Sequence, residues 1–250
     1  MHRDATGLAG VRHIEFDALG STNAEALRRA REGERGPLWI TAVVQTAGRG
    51  RRGSTWVSPA GNLYATLLLV DPAPAPVAPQ LSFVAALALH DAVAQCAPQL
   101  GPALKVKWPN DLLLGKAKLA GILIESENGP AFAAAIGFGV NCVEHPRDTA
   151  YPATDLAVAG ASVTAAQLFG FLAAAMERRL AQWGRGGGFA ATRADWLKRA
   201  AGLGQPVVVR LPERELSGTF AGIDGEGRLL LRQASATTAI SVGEVFGWGA

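Results

Sequence analysis

Residues 118–140 read KLAGILIESENGPAFAAAIGFGV, and this stretch decides the class of the fold. Two apolar runs, 118–125 and 132–140, stand on either side of the Glu-Asn-Gly-Pro segment at 127–130. Short apolar runs that a turn sequence separates are typical of β-strands that pair with each other. We therefore expect a β-sheet at the centre of the protein, with this pair as part of it.

The patterns before and after this pair predict further strands and helices. Strands are predicted at residues 11–16, 38–45, 63–70 and 103–108, and helices at 21–31, 80–96, 164–183 and 189–201. Two of these helices begin with a capping box, formed by Thr22 with Glu25 and by Thr164 with Gln167. The proline-rich segment 71–79 is predicted to be a stiff, extended surface connection.

Short β-rich segments replace this pattern from about residue 204. They lie at residues 207–211, 216–223, 228–232 and 237–242. The Asp-Gly-Glu-Gly sequence at 224–227 predicts a hairpin between the second and the third of them. We expect an α+β protein in two parts. Residues 1–203 form a mixed β-sheet flanked by helices, and residues 204–250 form a small β-barrel that leans on it.

The composition excludes several classes of protein. Hydrophobic residues make up 49% of the 250 residues and charged residues 18%, which is typical of a globular chain and not of a disordered one. A net charge of +3 is too small to require a nucleic acid as partner. Cys96 and Cys142 match no metal-site or disulfide spacing, as is usual in a reducing compartment. With no apolar signal core and no run long enough for a membrane span, we expect a cytoplasmic protein.

The first segment with a chemical signature is 45–56, which reads QTAGRGRRGSTW. Its closely spaced glycines give a flexible backbone whose amides can turn toward an anion. Arg49 and Arg51 can each bind a phosphate or a carboxylate through two parallel hydrogen bonds, and Trp56 can cover a ligand when the loop closes. Taken alone, the segment is equally typical of a solvated basic loop or of an RNA-binding arginine patch.

The second segment, 105–111, reads KVKWPND. Lys107 is predicted at the end of a strand, with Asn110 and Asp111 in the turn beyond it. At this place Lys107 can meet phosphates, and Asp111 can hold Mg²⁺ directly or through water. An ordinary strand followed by an Asn-Asp turn has the same pattern.

The third segment begins at Lys118. Strand alternation places this lysine on the same face as Ala120 and Ile122, where an ammonium group needs an anionic partner. Gly121 leaves room for a ligand to pass close to the backbone. The alternative is a lysine on an edge strand.

These three segments in this order, together with Ser21-Thr22-Asn23 and the GFGVN sequence at 137–141, resemble the biotin protein ligase family, in the form without an N-terminal DNA-binding domain. The resemblance covers essentially the whole chain. It implies the class II synthetase-like fold of biotin and lipoyl ligases, followed by an SH3-like C-terminal domain. It also implies that biotin and ATP, with Mg²⁺, form biotinyl-5′-AMP. Biotin then passes to a lysine of a biotin carboxyl carrier protein, as in acetyl-CoA carboxylase.

The resemblance assigns a role to each matching residue. Biotin contacts are implied for Ser21, Thr22, Asn23, Gln45, Gly48, Arg49, Arg51, Lys118 and Gly121. ATP contacts are implied for Arg51, Arg52, Trp56, Lys107, Asn110 and Asn141, and a Mg²⁺ contact for Asp111. Lys118, Arg51 and Lys107 are expected to be catalytic through charge and position, because the biotin carboxylate itself attacks ATP. Lys118 is expected to bridge that carboxylate and the α-phosphate.

Two alternative functions stay open. A lipoate or octanoate ligase shares this catalytic fold and also uses a lysine beside the acyl carboxyl, whereas a nucleic-acid-binding module would rest on the arginine loop. The first catalytic strand begins near Val11, which leaves no space for a winged helix-turn-helix, so no specific DNA binding is expected. No membrane partner is expected either, and the sequence leaves open whether the protein forms a homodimer.

Overall fold

The computed structural model describes residues 2–6, 11–129, 131–147, 149 and 151–247. Within these residues, two β-sheets and four α-helices make up the fold. The strands are β1 (His2–Thr6), β2 (Arg12–Leu19), β3 (Leu38–Gln45), β4 (Leu63–Val70), β5 (Leu104–Lys107), β6 (Asp111–Leu114), β7 (Ala117–Asn128), β8 (Phe132–Val140), β9 (Pro206–Arg210), β10 (Glu215–Ile223), β11 (Leu229–Arg232), β12 (Thr237–Ile240) and β13 (Glu244–Phe246). The helices are α1 (Thr22–Arg31), α2 (Leu81–Cys96), α3 (Ala165–Trp183) and α4 (Phe189–Arg199).

The first sheet has eight strands in the order β1-β2-β3-β4-β8-β7-β6-β5. Strands β2 and β3 run parallel and the other neighbours run antiparallel, so the sheet is mixed. The predicted central pair is β7 and β8, in which Ala120 lies opposite Val140 and Asn128 lies opposite Phe132. The predicted α+β class with a central mixed sheet is confirmed.

Helices cover both faces of the first sheet. Helix α1 packs on a cluster that includes Ile14, Leu38 and Leu68, whereas α2 and α3 cover the opposite face around Trp39 and Ile136. Because successive side chains of a strand point to opposite faces, a strand covered on both sides needs apolar residues at nearly every position. This explains why β3 and β4 read as continuous apolar runs.

The segment Ala75–Cys96 is long and apolar enough to span a membrane, but 67% of its apolar window is buried inside the protein. Val84, Leu87 and Ala88 of α2 are fully buried in the main core. The segment therefore has the environment of a core helix. Its first six residues, Ala75–Gln80, form a 3-10 helix, so the predicted extended connection at 71–79 is wrong in its second half.

The caps of two helices were predicted, and one prediction is wrong. Thr164 and Gln167 form the predicted capping box at the start of α3. At α1 the cap is Ser21, whose hydroxyl accepts from the first turn, so the predicted box of Thr22 and Glu25 is not made. Glu25 instead forms ion pairs with two arginines of its own helix, at three and four residues' spacing, which satisfies its charge.

The second sheet has the strand order β12-β11-β10-β9-β13, and every pair in it is antiparallel. The predicted hairpin joins β10 and β11. An aromatic chain ties this sheet to the first part of the protein. The ring of Phe83 in α2 lies 5.3 Å from that of Trp196 in α4, which lies 6.5 Å from that of Phe220 in β10. The two sheets therefore share one hydrophobic core.

Substituting Phe220 by alanine should lower the free energy of unfolding by about 3–5 kcal/mol, because a fully buried ring is removed from this junction. Equilibrium unfolding in urea measures the change. Val242→Ala is the control, because its side chain is 52% exposed, and it should change the stability by less than about 0.5 kcal/mol. Equal effects of the two substitutions would contradict the shared core.

Candidate active site

A cavity opens over the middle of β7 and β8, beside the N-terminal end of α1. Residues 46–56, called here the glycine-arginine loop, form its outer wall. Ser21, near the start of the chain, and Glu244, near its end, both line it. The tertiary fold therefore assembles this site from segments that are far apart in the sequence.

One end of the cavity carries uncharged hydrogen-bonding groups. Gln45 Oε1 accepts from the backbone N–H of Thr22 at 2.9 Å, and Gln45 Nε2 donates to Ser58 Oγ at 3.1 Å. These contacts fix the Gln45 amide beside the hydroxyls of Ser21 and Thr22, which are buried. A buried set of neutral donors and acceptors suits a polar, uncharged part of a ligand.

The side chain of Asn23 is held by the protein at both of its polar atoms. Its Nδ2 donates to Leu123 O at 3.1 Å and to Glu125 Oε2 at 2.9 Å, and its Oδ1 lies 2.7 Å from Thr66 Oγ1. Gly137 makes room for this amide, since a methyl group there would overlap with it. Both amide hydrogens are used within the protein, so Asn23 braces α1 against the sheet.

The middle of the cavity is a slot over two glycines, in which the indole of Trp56 lies. A methyl group at Gly139 would lie 2.5 Å from Cε2 of Trp56, and one at Gly121 would lie 3.0 Å from Cζ3. A residue without a side chain is required to admit an indole at these distances. The buried Nε1 of Trp56 makes no hydrogen bond with any described residue, so it is a donor that a ligand oxygen can satisfy.

Asp111 holds two lysines at the other end of the cavity. Lys118 Nζ lies 2.7 Å from Asp111 Oδ1, and Lys107 Nζ lies 3.8 Å from Oδ2. The ring of Tyr151 lies 5.3 Å from the Lys118 ammonium and 5.6 Å from that of Lys107. All three charged side chains are largely buried. Two ammonium groups around one carboxylate leave this trio with a net positive charge, which favours an anionic ligand.

A β-bulge turns Lys118 toward the cavity. The register between β6 and β7 shifts by one residue, so that β7 contains one extra residue, Leu119. Leu119 and Ala120 are both buried in the core, whereas Lys118 lies beside Gly121 on the cavity wall. The predicted placement of Lys118 with Ala120 and Ile122 is wrong, because the bulge inverts the alternation of the strand.

Burial and ion pairing act on these cations in opposite directions. Burial lowers the pKa of Lys107, although Asp111 opposes the shift. Burial acts on Lys118 in the same sense, but the ion pair and hydrogen bond with Asp111 outweigh it and raise the pKa of Lys118. Burial, with a contribution from Arg52, lowers the pKa of Arg51. The raised pKa keeps Lys118 protonated at neutral pH.

Arg49 and Arg51 of the glycine-arginine loop both line the cavity, but they contact different ends of it. Arg51 Nη1 lies 3.4 Å from Asn110 Oδ1 and 3.3 Å from the carbonyl oxygen of Gly243. Arg49 Nη2 lies 3.0 Å from Glu125 Oε2. Arg51 is thus at the charged end of the cavity, near Asp111. Arg49 is at the other end, where Asn23 contacts the same Glu125 carboxylate.

Four predicted residues lie off the wall of this cavity, namely Lys107, which faces the adjoining one, and Gly48, Arg52 and Asn141. Gly48 is buried under the loop, where a methyl group would collide with backbone and hydroxyl oxygens. Arg52 is exposed at the tip of the loop in a left-handed conformation. Asn141 is 3% exposed, and its Nδ2 donates to Thr154 O, so its side chain holds the segment that follows Tyr151.

Lys107 faces an adjoining cavity that Lys118 and Tyr151 share with the first one. Tyr151, Glu125 and Glu244 are site residues that sequence reasoning missed. Tyr151 and Glu244 lie in segments without a chemical signature of their own. Glu125, however, ends the KLAGILIE segment at 118–125, so its position on the same strand as Lys118 could have marked it as a site residue.

The residues around Asp111 do not form a metal cage of their own. In the described ranges, no group of three or more His, Cys, Asp or Glu side chains comes together that could hold a metal ion. Asp111 lies between two ammonium groups. A Mg²⁺ ion fits here in the way that Mg²⁺ accompanies nucleotides, with one carboxylate from the protein and the remaining ligands from phosphates and water.

Comparison with known proteins agrees with this geometry. The family model for the Biotin/lipoate A/B protein ligase family matches residues 17–141, and that for the Biotin protein ligase C terminal domain matches residues 202–248. The biotin--[acetyl-CoA-carboxylase] ligase of Paracoccus denitrificans is 45% identical over 236 residues, which cover 90% of this chain and 96% of the relative. The bifunctional ligase/repressor BirA of Bacillus subtilis is 32% identical, covering 90% of this chain and 71% of the relative.

A solved structure shows the same fold. The biotin protein ligase of Aquifex aeolicus, solved in complex with biotin and ATP, superposes with a TM-score of 0.78 at 23% identity, covering 94% of this chain and 97% of that one. Because the Paracoccus relative is 45% identical over 90% of this chain and both family models match, the chain belongs to the biotin protein ligase family.

Proposed function

We propose that this protein forms biotinyl-5′-AMP from biotin and ATP and then transfers biotin to a specific lysine of a biotin carboxyl carrier protein. The observation that carries the proposal is the polarity of the cavity. Neutral hydrogen-bonding groups lie at one end, an apolar slot in the middle and buried cations at the other. Biotin has the same order of groups, with a ureido ring, an aliphatic chain and a carboxylate.

The neutral end suits the ureido ring. The hydroxyls of Ser21 and Thr22 and the amide of Gln45 supply both donors and acceptors, as a urea group requires. The indole of Trp56, which packs against Gly139, then offers an apolar wall to the aliphatic chain, which needs contact area and no polar partner.

The charged end suits the reaction itself. An oxygen of the biotin carboxylate attacks the α-phosphorus of ATP, and the bond to the departing pyrophosphate breaks. Lys118 and Arg51 lower the repulsion between these anions, and Lys107 adds charge from the adjoining cavity. Their positions are fixed before the ligands arrive, so no reorganisation is required during the step.

The second step depends mainly on how the site positions the two reactants. The neutral amine of the carrier lysine attacks the acyl carbon of biotinyl-AMP, the bond to AMP breaks, and one proton leaves the amine. No protein side chain has to become a nucleophile in either step. Holding the mixed anhydride away from water and presenting its acyl carbon is therefore the main task of the site.

Mg²⁺ would enter with ATP, with Asp111 as its protein carboxylate, and would help to neutralise the phosphates. We assign residues 1–203 to catalysis and residues 204–250 to a C-terminal domain that supports the loop and the carrier. This boundary lies just before Pro206, where the second sheet begins. A cytoplasmic location stays a prediction.

A lipoate or octanoate ligase is the second candidate, because the matching family model covers both kinds of enzyme. The neutral end favours biotin, since a dithiolane or an alkyl chain offers no hydrogen-bonding group to the Ser21 hydroxyl or to the second amide hydrogen of Gln45. A nucleic-acid-binding module is disfavoured, because Arg49 and Arg51 make contacts with protein groups at the cavity.

Lys118→Met should lower biotin-dependent exchange of pyrophosphate into ATP by about 10²–10³-fold, because a preorganised cation is lost beside the reacting groups. The control is Lys105→Met, on the same strand as Lys107 but exposed to solvent, which should keep nearly full activity. A Lys118→Met variant that is folded and within about threefold of the parent rate would contradict this role.

Gly139→Ala should raise the KM for biotin about tenfold, because the added methyl group forces Trp56 out of the slot. Steady-state kinetics at saturating ATP measure the effect. Gly225→Ala is the matched control, since a methyl group there meets no atom within 4 Å. An unchanged KM in Gly139→Ala would mean that the position of Trp56 does not shape the biotin site.

Calorimetry with biotin and with lipoate separates the two ligase candidates. We expect biotin to bind at least about 10²-fold more tightly, and Gln45→Leu to weaken biotin binding about tenfold while leaving lipoate unchanged. Gln205→Leu, at an exposed position, should alter neither affinity. Tighter binding of lipoate would reverse the order of the two candidates.

A further inference from the structure

Glu125 contacts two cavity residues from outside the cavity. Its Oε2 accepts from Asn23 Nδ2 at 2.9 Å and from Arg49 Nη2 at 3.0 Å. Asn23 is buried and belongs to α1, whereas Arg49 is exposed and belongs to the glycine-arginine loop. One carboxylate on a central strand therefore joins a fixed element to a surface loop.

The loop has internal hydrogen bonds that let it move as one piece. Gly50 N donates to Ser54 O at 2.7 Å, and Trp56 N donates to Gly48 O at 3.0 Å, as in a small hairpin. A ligand can enter the covered cavity when such a hairpin swings away, and hinged loops of this kind set the rates of ligand entry and release in many enzymes.

Arg49 and Arg51 differ in the charge of their partners. The groups that hydrogen-bond Arg51 are neutral, an amide oxygen and a backbone carbonyl, so its guanidinium keeps its charge for an anion. The partner of Arg49 is a carboxylate, which neutralises it. Arg49 is thus poorly suited to bind an anionic group and well suited to fasten the loop.

Building on the function proposed above, we propose that Glu125 is a positioning residue that holds the glycine-arginine loop closed through Arg49. Arg49 then acts as a latch of the loop and not as a ligand of biotin. The buried amide of Asn23 orients the Glu125 carboxylate, so the latch has a fixed anchor on the sheet. Its effect is to retain biotinyl-AMP until the carrier arrives.

The chain offers a matched control on the same strand. Glu127, two residues after Glu125, pairs with Arg31 at 2.6 Å, also on the surface. Arg31 belongs to α1, and neither residue lines the cavity. An exposed ion pair contributes little to stability, so loss of either pair leaves the fold intact.

The test compares Glu125→Gln with Glu127→Gln by two measurements. Glutamine keeps an oxygen for Asn23 and removes the charge that faces Arg49. The first measurement is the dissociation rate of preformed biotinyl-AMP. The second is the rate of trypsin cleavage after Arg51 or Arg52 in the ligand-free protein, with the site identified by mass. Glu125→Gln should raise both rates about five- to tenfold, and Glu127→Gln should raise neither.

A double-mutant cycle with Arg49→Gln separates a latch from a ligand contact. If Arg49 works through Glu125, then Arg49→Gln and the double variant should release biotinyl-AMP no faster than Glu125→Gln. Additive effects on release, or a Glu125→Gln variant with both rates unchanged, would overturn the proposal. If the parent protein made no biotinyl-AMP, the proposed function would fail, while the cleavage measurement would still decide whether Glu125 closes the loop.

Discussion

The carboxylate of Asp111 is the interaction on which the charged end of the cavity depends. Buried ammonium groups are expensive unless an opposite charge lies close, and Asp111 serves both Lys118 and Lys107. The register of the sheet makes this sharing possible. Asp111 pairs with Lys107 across β5 and β6, and with Gly121 across β6 and β7. The fold thus holds two cations around one anion before any ligand is bound, and the surplus positive charge is directed at the cavity.

Two glycines of the sheet provide the space that a ligand needs beside these charged groups. Gly121 and Gly139 lie directly opposite each other in β7 and β8, so a gap without side chains crosses two neighbouring strands. Trp56 fills one side of that gap. Because the backbone ladder continues through both glycines, the cavity forms without breaking the sheet that carries Lys118. Strand β7 therefore supplies both Gly121 and Lys118, so the open space lies beside the charged group.

The central sheet could be predicted because apolar periodicity and turn residues are local signals. The pairing of β7 with β8 follows from the turn sequence at 127–130, but its register does not. A turn at 127–130 would place Gly121 opposite Ile136, whereas β7 continues to Asn128, which lies opposite Phe132, so Gly121 lies opposite Gly139. The direction of Lys118 could not be predicted, since it depends on a bulge that β6 imposes on β7. Strand β6 is itself four residues long, and its first residue, Asp111, was predicted to lie in a turn. The partners of Arg49 and Arg51 could not be predicted either, because they come from segments that are distant in the sequence.

The C-terminal sheet takes part in the electrostatics of the site. The carbonyl of Gly243 contacts Arg51, Glu244 lines the cavity, and the ring of Phe246 lies 4.9 Å from the Lys107 ammonium. These residues lie in or beside β13, the last strand of the described chain, which pairs with β9. Since the aromatic junction at Phe220 fixes the second sheet on the first, a displacement at that junction would also move the groups that hold Arg51 and Lys107. The charged end is therefore complete when both sheets are folded together, so stability at the junction and charge placement at the site are coupled.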